Sequence, residues 1–130
     1  MLASLVVAQV LTVAAAQGFT VEASREGLSG HRTATGHVIR GTDIFVALPD
    51  SSALNKTVEI VYKGQTFRVK VLDIGPWHID DPYWVKGHRP RAERNRGPNH
   101  AGIDISDGLW RKMGLSKDDG KCRVTWRFVE

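Results

Sequence analysis

Asp73 and Asp104 are the residues of this 130-residue chain best placed to do chemistry. Asp73 closes the apolar run that ends in Val71-Leu72 and stands two residues before Gly75-Pro76, whereas Asp104 lies between Ile103 and Ile105, just ahead of Ser106. A carboxyl group delivered by the end of an ordered element is held in place by its backbone. Two such groups, if folding brings them together, can divide proton transfer and charge stabilisation in glycosidic bond cleavage. The same two residues can equally accept loop amide hydrogen bonds and tie down two tight connections. Between them, residues 77–84 carry Trp77, His78, Tyr83 and Trp84, and His78, Asp80, Asp81, His88 and His100 all bear metal-ligating atoms. Zinc needs three or four ligands in tetrahedral reach. No fixed ligand spacing joins these five, so no metal is expected, and Asp80 and Asp81 are expected to pair with nearby arginines instead.

The elements that must position these groups read as short strands. Phe19 to Ala23 alternates as a strand, Ser24 to Gly36 reads mainly as loop, and Ile44 to Leu48 is a short strand closed by Pro49-Asp50. Thr57–Tyr62 and Thr66–Leu72, joined through Lys63-Gly64-Gln65, give the clearest hairpin. Alternation puts Phe67, Val69 and Val71 on its core face and Arg68 and Lys70 in water. Residues 75–102 hold four prolines and little period, and a long loop inside a small domain is often functional. Ser106 is placed to cap a short helix buried through Trp110 and Met113 and stopped by Gly114. Residues 122–129 alternate as a last strand, with Trp126 as a packed wall residue. Short strands with one brief helix predict a small, mostly β barrel, whose closure removes exposed edges.

Bulk properties narrow the function classes. An apolar fraction of 42% with 25% charged residues excludes global disorder, and the length suits one domain. The formal net charge is +4, and residues 86–96 account for it, with five cations against Glu93 alone. Such a segment attracts phosphates, acidic lipids or an anionic wall polymer. Pro90 and Pro98 break any recognition helix, and no zinc finger or basic zipper is present, so nucleic acid is not an expected partner. There is no glycine-rich phosphate loop, EF-hand or HExxH motif, and no cofactor is expected. Cys122 is the single cysteine and reads as a wall thiol. Residues 1–17 are almost wholly apolar and end in Ala14-Ala15-Ala16-Gln17, as an export leader does, although the usual early Lys or Arg is absent. A secreted, periplasmic or cell-envelope location is the expectation, with residues 18–130 as the domain and 77–101 as an insertion within it.

Four segments carry a family resemblance. Thr33-Ala34-Thr35-Gly36, Ala47-Leu48-Pro49, Asp73-Ile74-Gly75-Pro76 and Gly102-Ile103-Asp104-Ile105-Ser106 follow one another in the order of the RlpA-like double-psi β-barrel motifs. Residues 23–129 thus resemble that family, whose fold is shared with the first domain of expansins and with family-45 endoglucanases. The resemblance implies a mainly β, six-stranded double-psi β-barrel with short helices. It makes Asp73 the leading general acid/base and Asp104 its supporting carboxylate. Phe45, however, stands where the bacterial enzymes have a histidine, with Asp43, His37 and His78 as nearby polar groups. Trp77, Tyr83 and Trp84 are expected to line a saccharide groove with His78 on its hydroxyls, and the basic 86–96 segment to meet an anionic wall polymer.

Two functional expectations follow. The first is a peptidoglycan lytic transglycosylase, in which the muramic acid C6 hydroxyl attacks its own ring to leave an anhydro sugar. The alternative is a noncatalytic, expansin-like cell-wall glycan-binding module, and a protein-binding barrel is a third use of such a fold. Neither periodicity nor motif speaks to oligomeric state.

Overall fold

The computed structural model describes residues 18–95 and 100–129; the expected leader at 1–17 and Arg96 of the basic segment lie outside them. Six strands form a closed barrel: β1 (Phe19–Glu26), β2 (Val46–Leu48), β3 (Thr57–Tyr62), β4 (Gln65–Ile74), β5 (Ile103–Ser106) and β6 (Cys122–Val129). Their order around the barrel is β1-β5-β2-β4-β3-β6. The β1/β5 and β2/β4 pairs are parallel and the others antiparallel. Two short helices, α1 (Tyr83–Lys86) and α2 (Asp107–Lys112), complete the mainly β architecture with 3-10 turns at Ser51–Ala53 and Arg91–Arg94.

The β3/β4 hairpin forms for the reason the sequence suggests. Lys63 and Gly64 both take positive φ, 47° and 78°, and a two-residue turn of this kind matches the natural strand twist. Val69 and Val71 are buried while Arg68 and Lys70 are exposed, so the alternation holds. Trp126, Trp110, Phe45, Leu48 and Ile60 fill the interior without solvent exposure. Ser106 caps α2 by accepting from the Leu109 amide. Its hydroxyl also donates to Asp43 O at 2.8 Å and accepts from Phe45 N at 3.0 Å, so one side chain joins a strand end, a helix start and the approach to β2.

Two elements differ from the sequence reading. β1 does not stop at Ala23 but continues to Glu26, because residues 23–26 pair in parallel with residues 103–106 of β5. Ser24 and Glu26 are buried there, and polar residues at inward positions hide a strand from a hydrophobicity pattern. The 75–102 stretch, which contains the 77–101 insertion, also has more order than a loop. Asp81, 1% exposed, accepts from the Arg91 amide at 2.8 Å and faces His88 Nε2 at 3.5 Å, while Asp80 pairs with Arg91 at 2.6 Å. Glu93 then anchors the segment to β1 by accepting from Glu22 N at 2.7 Å. Gly102 lets this layer close, since a Cβ there would lie 2.5 Å from Pro90 Cγ and 3.0 Å from Val21 Cβ.

Candidate functional site

Asp73 sits inside β4, one residue past a register shift in which Val46 pairs with Val71 and Ala47 with Asp73. A bulge of this sort bends a strand and re-aims its side chains. The 33–37 turn locks onto it: Thr35 donates to Leu72 O from Oγ1 at 2.9 Å, and the Ala34 amide donates to Asp73 Oδ1 at 2.8 Å. The Ile74 amide reaches the same oxygen at 2.9 Å. The Thr-Ala-Thr-Gly segment is therefore a clamp that fixes the Asp73 carboxylate.

Asp104 reaches the same place from β5. Its register partner is Ala47 on one side and Ser24 on the other, and Ser24 Oγ donates to Asp104 Oδ1 at 3.1 Å. A third carboxyl, Glu26, was not legible as a site residue in the sequence. It is 4% exposed and lies within hydrogen-bonding reach of both Asp73 and Asp104. Burial first, then a hydrogen bond to Asp73 and the Asp104 charge, push the Glu26 carboxyl up to about 10. Burial raises Asp104 to about 7, against the lowering effect of hydrogen bonds from Glu26 and Ser24. At neutral pH Glu26 thus keeps its proton and donates it toward its neighbours. The Glu26 and Asp104 carboxyls therefore do not lose their protons independently of each other.

These residues floor a groove of about 490 Å³ whose rim carries Arg25, Leu28 and Trp77. Leu28 and Trp77 are 57% and 63% exposed, large apolar side chains on an otherwise polar site. Trp77 has φ +66°, a left-handed conformation that costs a non-glycine residue roughly 1–2 kcal/mol. Its ring stacks on His100 with centroids 4.4 Å apart and planes 9° from parallel. Arg25 is engaged by Asp107 at 3.3 Å.

The other expected contacts fall elsewhere. Tyr83 is 2% exposed, its hydroxyl donating to Gly102 O at 2.8 Å and accepting from Trp126 Nε1 at 2.9 Å. Its ring belongs to the core, so it offers no face to a sugar. Trp84 packs edge-on against Trp126 and Phe128 at 5.6 and 5.8 Å, which commits it to the same cluster. Packing of both rings around Trp126 accounts for both. His78 is half-buried, and its amide donates to Pro76 O.

Phe45, at the position of the family histidine, is fully buried. His37 lies edge-on to it at 6.2 Å and bonds Asp43 through Nε2 at 2.6 Å, a hydrogen bond that holds the Asp43 carboxyl below its usual range together with the Arg40 amide. This pair does not line the groove. Arg89 and Arg91 pair with Glu93 and Asp80, which weakens the field expected from residues 86–96; Lys86 and Arg94 remain exposed. Burial pushes the Cys122 thiol up to about 11, which removes it as a nucleophile at neutral pH. Among the described residues no three His, Cys, Asp or Glu side chains have the geometry to hold a metal ion.

Comparison with known proteins bears on the fold. Residues 17–96 match a family described as "Domain of unknown function (DUF8814)", a span that takes in Glu26, Asp73 and Trp77 but ends before Asp104. No curated protein matches the chain. Among solved structures, the Streptomyces papain inhibitor superposes with a TM-score of 0.56 at 22% identity, covering 88% of this chain and 96% of that one. The apo expansin of Clavibacter michiganensis gives 0.54 at 15% identity, and a point mutant of an expansin from the same organism, in complex with cellohexaose, gives 0.51 at 14%. This chain corresponds to about half of each expansin chain, covering 50% and 51% of their lengths. The six-stranded closed barrel is therefore of the double-psi kind found in those proteins.

Proposed function

The chain belongs to the DUF8814 family, whose description assigns no activity, and from that premise we propose that it is a noncatalytic, expansin-like glycan-binding module. The observation that carries this reading is Trp77. A ring 63% exposed, held out in a left-handed backbone conformation beside a groove floored by hydrogen-bonding carboxyls, is built as a ligand contact. A flat apolar face covers the C–H face of a sugar, and Asp73, Asp104 and Glu26 accept from or donate to its hydroxyls. The likeness to an expansin holding cellohexaose supports a β-linked glycan as the ligand class. A cell-wall polymer as the natural ligand would place the protein outside the cytoplasm, in keeping with an apolar leader.

A second reading rests on the carboxyl cluster. A protonated Glu26 beside Asp73 and Asp104 is the pairing that a general acid requires, and it favours a lytic transglycosylase acting on peptidoglycan. Phe45 in place of the histidine weighs against it, because a buried phenyl ring moves no proton.

One experiment separates these uses. Purified protein is incubated with denuded peptidoglycan and with cellulose, and bound protein and released sugars are both measured. Saturable binding with intact glycan is expected. Anhydromuramic ends that vanish in Asp73→Asn would establish the enzyme instead. Inhibition of papain with no glycan binding would sink both readings in favour of a protein-binding barrel.

A further inference from the structure

The groove holds three carboxyls and one guanidinium, and that guanidinium is already paired with Asp107. Glu26 Oε2 is buried and accepts no hydrogen bond from a protein donor among the described residues. Asp73 Oδ1 is satisfied by two amides and Asp104 Oδ1 by Ser24, so the protein supplies donors to two of the three groups and none to that oxygen. Crowding three carboxyls in a partly desolvated groove is costly in Coulomb energy and is relieved only by a proton or by a cation. In the free protein the Glu26 proton gives that relief, and a bound cation can take its place where a neutral sugar hydroxyl cannot.

We propose that the groove takes a protonated amine, so that the ligand class is a β-linked glycan with free amino groups, seated with an ammonium among Glu26, Asp73 and Asp104 and a ring on Trp77. This deepens the glycan-binding reading and rests on it. An ammonium carries three donors and no acceptor, which matches three carboxyls on three strands. Its compactness lets the neighbouring ring stay in contact with the Trp77 indole. Because the chain's formal net charge is +4, its overall field repels a polycation, so a preference for one must arise locally. The raised carboxyls support the assignment: a bound cation lowers them and expels the proton that Glu26 holds.

The test uses three matched β-1,4-linked hexasaccharides that differ only at C2: the glucosamine hexamer, the N-acetylglucosamine hexamer and cellohexaose. Affinities are measured by calorimetry at mildly acidic pH, where the sugar amine is protonated, in two buffers of different ionisation enthalpy. The amino oligomer is expected to bind about ten- to a hundredfold more tightly than the other two and to release protons on binding, the range a charge-assisted hydrogen bond supplies. Glu26→Gln and Asp104→Asn should each erase most of that preference, read as the ratio of the amino oligomer's affinity to that of cellohexaose within the same variant. Trp77→Ala should weaken all three ligands alike. Equal affinity for the three, or a preference untouched in both carboxyl variants, overturns the amine assignment and leaves the glycan reading standing. Absence of binding to any of the three overturns both.

Discussion

At the residue scale, burial divides side chains that the sequence presents as equals. Trp77, Tyr83 and Trp84 fall within eight residues, yet only Trp77 reaches the groove. Trp77→Gly should keep or raise the melting temperature, because glycine adopts φ +66° without the strain of a side chain, and should lower hexasaccharide affinity about thirtyfold, as loss of a central tryptophan contact does. Tyr83→Phe should do the reverse. It leaves Gly102 O and Trp126 Nε1 without their buried partner, and denaturant unfolding should show a loss of about 1–3 kcal/mol with unchanged glycan affinity. The spacing of aromatic residues could not separate these roles. Tyr83 is drawn inward by Trp126, which lies 43 residues further along the chain, and no local pattern reports such a contact.

At the element scale, the groove is made where strand ends meet. β4 brings Asp73, β5 brings Asp104 and β1 brings Glu26, and two short clamps hold those ends. One is the 33–37 turn on Leu72 O and Asp73; the other is Ser106. Ser106→Ala removes the cap on α2 and the bridge between Asp43 O and Phe45 N, so urea unfolding should show a loss of about 2 kcal/mol. Asp73 stood out in the sequence because it closes an apolar run just before Gly75-Pro76, and Asp104 because it interrupts Ile103 and Ile105 just ahead of Ser106. Glu26 did not, since the parallel pairing that buries it joins residues about 80 apart in the chain. The polar residues Ser24 and Glu26 break the alternation of β1 where the strand enters the site. A strand whose pattern fails at one end is what a functional site leaves in a sequence.

At the scale of the whole molecule, the carboxyl cluster ties stability to pH. Glu26 ionises near 4.5 when unfolded and near 10 when folded, and Asp104 near 3.8 and near 7. Above the lower value of each pair the unfolded chain sheds a proton that the folded chain keeps, so the contribution of these two groups to stability is greatest in acid and falls as pH rises, by at most about 1.4 kcal/mol per pH unit for each group. The Asp104 share of the decline ends near pH 7, and the Glu26 share continues toward pH 10. Melting temperature should therefore fall between pH 7 and 9, and Glu26→Gln, which has no proton to lose, should flatten most of that fall. A wild-type profile as flat as the variant's would mean that Glu26 is not held neutral. The closed barrel was legible from its hairpin, its alternating last strand and the order of its motifs, while its parallel pairings required the three-dimensional structure. The central claim is that a glycan lies in the groove against Trp77, and the most direct measurement is an NMR titration of the tryptophan indole N–H signals with cellohexaose. The account predicts a saturable shift of the Trp77 signal, with those of the buried Trp110 and Trp126 scarcely moved. A Trp77 signal that stays fixed while cellohexaose binds elsewhere, or does not bind at all, would contradict it.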